Sequence, residues 1–307
     1  MRAKILFLTT HSEYRQSLRF IQQALSELAI AFSHSFVMRE MSLKEDLSDG
    51  DLLQAIKEHD AVMLAGTADG EKRIARLINC HSKYSMLNQL DALDSLSRLK
   101  ASHLPKADLV WPMDETTPIN KTAVTACALS KKQGKPLVLL ETDATRAWSE
   151  PLNRAVMYAA LPTPEVRALE ELIQGLLHAS QYTPLVLCAK SEARLLTYLL
   201  LYIGGTEQLA FEEMLSDTLA VQYVQPQAQK KEVPLFAGLY ATVKLVRDSL
   251  KLEREADCLE TVVTNVLQSG WRTPEFGIGE KTISSDEVLE LMTQQIQLAG
   301  ELFERLG

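Results

Sequence analysis

The sequence predicts an α/β protein of two domains, with short buried strands alternating with amphipathic helices. Three observations carry this. Short apolar runs recur along the chain, and most are followed by apolar residues at helical spacing. The chain has 307 residues, enough for two ordinary domains. Hydrophobic residues make up 46% and charged residues 23%, a balance that lets a chain of this size bury a core.

Residues 3–9 (AKILFLT) are apolar after Lys4, as suits a strand covered on both faces. From Ser12 to Ala31, the positions Leu18, Ile21, Leu25, Leu28 and Ala29 mark one face of a helix. HSFVMREM at 34–41 is the second strand. Asp49-Gly50-Asp51 opens a short helix to His59, and AVMLAGT at 61–67 is a buried strand ending at Gly66. A helix over 71–79 follows it.

A second α/β pattern begins near residue 107. Ala107 to Trp111 is a strand, and residues 112–118 form a polar loop with Asp114 and Glu115. A helix over 120–133 is stopped by Gly134, and Lys135-Pro136 leads into the strand at 137–141. TDATRAWSEPLNRAV reads as a surface excursion. Thr163 is placed to cap a helix with Pro164 at its first position, running to about His178. PLVLCA at 184–189 is another strand, and 191–201 a helix.

The polar, proline-bracketed stretch 224–234 reads as a domain crossing. Helices are expected from there on, over 235–250, 253–269 and 284 to about 305. Ser284-Ser285-Asp286-Glu287 is a good start for the last, with acidic groups at the positive end of the helix dipole. These end helices need a sheet to cover, and the first one is the natural choice. The expected division is therefore 1–96 and 234–307 as one discontinuous larger domain and 97–233 as a smaller one.

Composition excludes some partners. The net charge is -8, and basic residues gather no further than pairs such as Lys131-Lys132 and Lys230-Lys231, so no nucleic-acid surface is expected. No apolar stretch approaches the ~18 residues of a membrane span. The start, MRAKILFLTTHSEYRQ, has no small-residue cleavage site after its apolar run and reads as a buried strand rather than a signal peptide. Cys80, Cys127, Cys188 and Cys258 form no C-x-x-C pair and lie in or beside apolar runs. Buried free thiols of this kind fit a reducing compartment, here the cytoplasm.

The last third, with Gly270-Trp271-Arg272-Thr273 and the Ser284-Ser285-Asp286-Glu287 helix start, resembles the carboxy-terminal region of the isopropylmalate/isocitrate dehydrogenase family, the metal-dependent β-decarboxylating dehydrogenases. His59 to Gly66 (HDAVMLAG), Pro164-Glu165-Val166, Leu187-Cys188-Ala189-Lys190 and Phe211 to Asp217 (FEEMLSD) resemble further family segments in the same order. The resemblance implies an isocitrate/isopropylmalate dehydrogenase-like α/β fold and a homodimer. It also implies an ancestral reaction in which a 2-hydroxy acid is oxidised by a nicotinamide cofactor and then decarboxylated. Such chemistry needs a divalent metal held by carboxylates, arginines for the substrate, and a Lys and a Tyr to move protons.

On that resemblance Lys190 takes the catalytic lysine position, and Tyr158 is a displaced replacement for a catalytic tyrosine whose own position is Leu161. Glu213 and Asp217 take metal positions for Mg²⁺ or Mn²⁺, and their spacing of four would put both on one helical face. Glu213 stands where the family has Asp, and the extra methylene shifts its oxygens. Other parts are missing. The family's Gly-rich first loop is Thr10 to Gln16 here, without glycine, so close backbone approach to a ligand is lost. Two of the family's arginines fall at Ile78 and Asn88 and a third at Leu140 or Met113, with Arg146 or Arg154 of the following loop as candidate substitutes for the third. The segment that walls the adenosine of the cofactor is deleted between Thr218 and Leu235.

The expected function is a degenerate relative without NAD(P) use, acting as a small-ligand-binding or regulatory protein. The alternative is an enzyme on a small hydroxy acid in the retained cleft, either with altered metal-dependent chemistry or as a divergent dehydrogenase. The helix at 191–201 and the segment Leu209 to Leu219 are the candidate dimer surfaces. The Trp111 to Thr117 loop lies at a strand's carboxyl end, the ligand edge of such sheets.

Overall fold

The computed structural model describes residues 1–44, 47–87, 93, 97, 106–114, 116–178, 182–206, 209–225, 233–276 and 281–306. It divides into two compact units, Met1–Ile78 with Thr218–Gly307, and Asn79–Asp217. The first unit is thus built from both ends of the chain. The sequence reading put the crossings at 96/97 and 233/234, whereas the units part at 78/79 and 217/218.

The chain begins in the first unit with β1 (Arg2–Thr9), α1 (Arg15–Ala31), β2 (Ser35–Ser42), α2 (Asp49–Lys57), β3 (Ala61–Ala65) and α3 (Ala68–Leu77). α1 buries Leu18, Ile21, Leu25 and Leu28 completely, the stripe its spacing predicts. Ser48 caps α2, its hydroxyl accepting from the Asp51 amide.

The second unit holds β4 (Ser82–Leu87), β5 (Ala107–Pro112), α4 (Ile119–Gln133), β6 (Leu137–Leu140), α5 (Ser149–Ala159), β7 (Glu165–Arg167), α6 (Leu169–His178), β8 (Leu185–Leu187), α7 (Lys190–Gly204) and β9 (Glu212–Leu215). Its strand order is β9-β4-β5-β8-β6-β7. β5, β8, β6 and β7 run parallel, while β4 is antiparallel to both its neighbours. Gly134 ends α4 with φ 65°, a left-handed turn that glycine makes without a Cβ clash.

Three expectations are corrected here. Residues 164–168 do not begin a helix: Glu165–Arg167 pairs with β6 as an edge strand, and α6 starts after it, with the Glu171 carboxylate accepting from the Ala168 amide. The supposed excursion after Glu141 is a 3-10 turn, Arg146–Trp148, leading into α5, whose Pro151 sits in the first turn where no amide partner is needed. The segment around Glu213 is not a helix but β9.

The chain then returns to the first unit through β10 (Ala220–Val224), α8 (Leu235–Lys244), α9 (Glu253–Gln268), β11 (Trp271–Arg272), β12 (Lys281–Thr282) and α10 (Ser285–Leu306). In this unit the order is β2-β1-β3-β10, all parallel. Every residue of α8 is buried, and Gly238 lets it approach α1 closely: a Cβ there would lie 2.5 Å from Ile21 Cδ1. The end of the helix expected over 235–250 is a π turn, Leu245–Ser249, and α9 follows as the separate helix expected. α10 starts as the sequence predicts. Ser284 Oγ accepts from the Glu287 amide, and the Glu287 carboxylate accepts from the Ser284 amide. Among the described residues, no helix is long and apolar enough to cross a membrane.

Candidate functional site

Parallel sheets bind ligands at the carboxyl ends of strands where successive connections leave in opposite directions. In the second unit that point lies between β5 and β8. β5 leaves through α4 toward β6, and β8 leaves through α7 toward β9. The two helices cover opposite faces of the sheet. Ala123, Ala126 and Cys127 of α4 pack with Val110 and Leu187, whereas Ala193, Leu196 and Leu200 of α7 pack with Trp111 and Cys188. Lys190 is the first residue of α7, and its ammonium donates to the Met113 carbonyl at 3.1 Å, across this gap.

The Met113 amide in turn donates to the carbonyl of His81, which stands just before β4 on the same edge. His81 is 8% exposed. Its Nδ1 lies 2.7 Å from Ser82 Oγ and its Nε2 3.6 Å from Asp217 Oδ1. Ser82 Oγ also donates to Thr122 Oγ1 at 3.0 Å, and the neighbouring Lys121 donates its ammonium to Asp217. Burial pushes the His81 imidazole below its ordinary range, against the pull of Asp217. The hydrogen bond from Lys121 holds the Asp217 carboxyl below its usual range. A ring whose two nitrogens face a hydroxyl and a carboxylate can pass a proton between them.

Asp114 closes the loop after β5 on itself. Its Oδ1 accepts from the Thr116 amide at 3.0 Å, the Thr116 hydroxyl at 2.7 Å and the Thr117 hydroxyl at 3.0 Å. The Thr116 hydroxyl contributes most to keeping this carboxyl acidic. Asp114 thus shapes a turn, and Glu115 and Asn88 lie outside the described residues.

The expected metal pair is not assembled as the sequence suggested. Glu213 lies inside β9, opposite Tyr84 of β4, and is 2% exposed. Asp217 lies beyond the end of that strand, so the two carboxylates are not stacked one helical turn apart. Among the described residues, no group of three or more His, Cys, Asp or Glu side chains is arranged to hold a metal ion. Tyr158 is 86% exposed on α5. Arg146 and Arg154 are exposed and pair locally, with Asp143 at 3.0 Å and Glu150 at 3.8 Å. Of the predicted residues, Lys190 and Asp217 therefore share one edge of the sheet, and Tyr158 and Glu213 have other surroundings.

Sequence reasoning missed His81, Ser82 and Lys121. None belongs to a motif, and the register of β4 against β5 and β9 is what gathers them. It also missed a buried network at the opposite end of β5. Asp108 is fully buried, accepts from the Tyr84 hydroxyl and pairs with Lys135 at 2.8 Å. Gln133 Nε2 donates to Tyr84 at 2.8 Å. Burial first, then Asp108, pushes the Tyr84 hydroxyl well above its ordinary range. The one signal available was an Asp at the head of an apolar run.

The first unit has a switch point of its own, between β1 and β3, since β1 connects outward to β2 and β2 crosses back to β3. Thr10 occupies it. Its Oγ1 accepts from the Thr67 amide at 3.1 Å. Two glycines give it room: a Cβ at Gly66 would lie 2.8 Å from Thr10 Cγ2, and one at Gly70 only 2.3 Å. The space that glycine opens at this edge is filled by the protein's own methyl group.

Compared with known proteins, the chain matches no family model, and no curated protein matches its sequence.

Proposed function

We propose that this chain is a divergent, degenerate member of the isopropylmalate/isocitrate dehydrogenase fold that binds a small ligand at the β5/β8 edge of its second unit and acts as a binding or regulatory protein in the cytoplasm. In this reading it does not use NAD or NADP. The observation that carries it is the meeting of Lys190 with Met113 where α4 and α7 leave the sheet on opposite faces. A positive group at such a point is placed to meet a ligand. The first unit supports the loss of cofactor use. A dinucleotide needs backbone to approach it closely, and Thr10 fills the crevice where Gly66 and Gly70 would allow that approach. The residues present do not fit a dinucleotide there. Glu213 and Asp217 do not fit a shared metal site either, because one carboxylate is buried beside Tyr84 and the other is engaged by Lys121.

The chain is further proposed to act as a homodimer through α7. That helix turns Leu195, Tyr198 and Tyr202 outward, at 50%, 70% and 40% exposure, and the two tyrosine rings stack at 5.9 Å. The alternative, an enzyme acting on a small acid, is favoured by one feature: the Ser82–His81–Asp217–Lys121 chain on the same edge.

Calorimetric titration with NAD and NADP, each with and without Mg²⁺ or Mn²⁺, separates these readings. Silence with both cofactors is the expected result, and saturable cofactor binding would overturn it. A panel of small carboxylic acids and amines, followed by thermal unfolding, should yield a stabilising compound whose effect disappears in Lys190→Ala. A stabilising compound indifferent to Lys190 would remove the proposed site.

A further inference from the structure

A groove of ≈ 670 Å³ runs along the surface of the first unit between α9 and α10. Its floor is apolar: Cys258 and Val262 from α9, and Leu298, Ala299 and Leu302 from α10. Leu298 and Leu302 are four apart, so they lie on one face, and they are 60% and 59% exposed. The opposite face of α10 is occupied, since Gly300 sits so close to α1 that a Cβ there would lie 2.7 Å from the Ala31 carbonyl oxygen. The two exposed leucines therefore have no structural duty toward the core.

The margin of the groove is acidic. Glu253 and Asp257 line it, with side chains 63% and 70% exposed. One guanidinium, Arg247, serves both of these and Glu260 as well, at 3.2, 2.6 and 2.8 Å. Three carboxylates against one cation leave an uncompensated negative charge along α9. The other cation in the groove, Arg254, is 55% exposed but already matched: it pairs with the buried Glu255 at 3.2 Å and lies over the Phe32 ring at 5.0 Å.

The groove is also long. Its lining on α9 extends from Glu253 to Asn265, about 18 Å at the helical rise. That is three turns of helix and more than a compact small molecule spans.

We propose that this groove docks an amphipathic helix from a partner protein, with an apolar stripe that covers Leu298 and Leu302 and Lys or Arg residues that meet Glu253 and Asp257. Helix-in-groove recognition uses such a stripe with charges at its flank. A second copy of this chain is the poorer occupant. A two-fold pairing would bring two acidic margins into one interface, between chains that each carry a net charge of -8. The proposal is independent of the ligand edge in the other unit.

The test uses the full chain and a labelled amphipathic peptide of Leu and Lys, about 14 residues long, followed by fluorescence anisotropy. A scrambled peptide of equal composition and a Leu/Glu analogue are the controls. The Leu/Lys helix is expected to bind saturably and the controls not. Leu298→Asn with Leu302→Asn should weaken binding about tenfold or more, the cost of losing buried apolar contact. Glu253→Gln with Asp257→Asn should weaken it several-fold and flatten its salt dependence. Circular dichroism of both variants should match the parent, because all four side chains are exposed. The proposal fails if the scrambled peptide binds as well, if neither pair of substitutions matters, or if the parent does not bind. It also fails if the parent sediments as a dimer that the leucine variant converts to monomer, since a second copy would then cover the groove.

Discussion

The ammonium of Lys190, at the head of α7, bonds to the carbonyl of Met113 at the foot of the loop after β5, 3.1 Å away. This contact spans two parallel strands whose helices leave on opposite faces, so it reports on the proposed ligand edge rather than on the core. Lys190→Met keeps the apolar stem and removes the charge. It should change unfolding free energy by no more than about 1 kcal/mol, checked by urea denaturation, while abolishing stabilisation by any ligand of this edge. At a ligand concentration of ~100 times Kd, the parent should gain about 2.7 kcal/mol and the variant none.

Thr10 and Gly70 form a matched pair. Gly70→Ala would push a methyl to 2.3 Å from Thr10 Cγ2, and turning Thr10 away would cost its bond from the Thr67 amide. The expected loss is about 1–3 kcal/mol. Thr10→Ser deletes only the offending methyl and keeps the oxygen. The double variant should recover the loss, since alanine also suits the helix better than glycine. Additive losses in a double-mutant cycle would show that the two residues are not coupled.

His81 is expected to make stability pH-dependent. Burial favours its neutral form in the folded protein, below the ordinary value of 6.5 that the unfolded chain retains. As the pH falls through that value the unfolded chain takes up a proton first, so stability is full above about pH 6.5 and declines below it. Between pH 8 and pH 5.5, His81→Asn should lose less stability than the parent, measured by chemical denaturation at each pH. Equal slopes would mean that His81 titrates alike in both states.

Asp108 is expected to be a costly position to change in the second unit. Its side chain is fully buried with Lys135 and Tyr84 as partners. Asp108→Ala strands a partly buried ammonium and a buried hydroxyl, and should cost about 3–5 kcal/mol. Tyr84→Phe removes one hydrogen bond to a charged group and should cost less, about 1.5–3 kcal/mol. Thermal unfolding of the two variants gives the order directly.

The outward face of α7 tests assembly. Leu195→Lys with Tyr198→Lys changes exposed side chains, so the fold should be retained. Sedimentation should show a dimer for the parent and a monomer for the variant. A monomeric parent would end the homodimer proposal.

Helical spacing located α1, continuous apolar runs located β1, β3, β5, β6 and β8, and the Gly134 stop marked the end of α4. Leu18, Ile21, Leu25 and Leu28 need no partner to declare a helix face. The sequence by itself therefore determined the α/β class, the apolar core and the start of α10 at Ser284. Only tertiary structure decided β4, β9 and β10. Ser82, Lys83 and Ser85 are polar yet buried in β4, because Thr122, Glu212 and the Phe211 carbonyl satisfy them. The Lys190–Met113 contact and the His81–Asp217 pair arose the same way, from strand register. A buried polar group is tolerated only when its partners come from elsewhere in the chain, and a linear pattern cannot display partners that the fold brings from a hundred residues away.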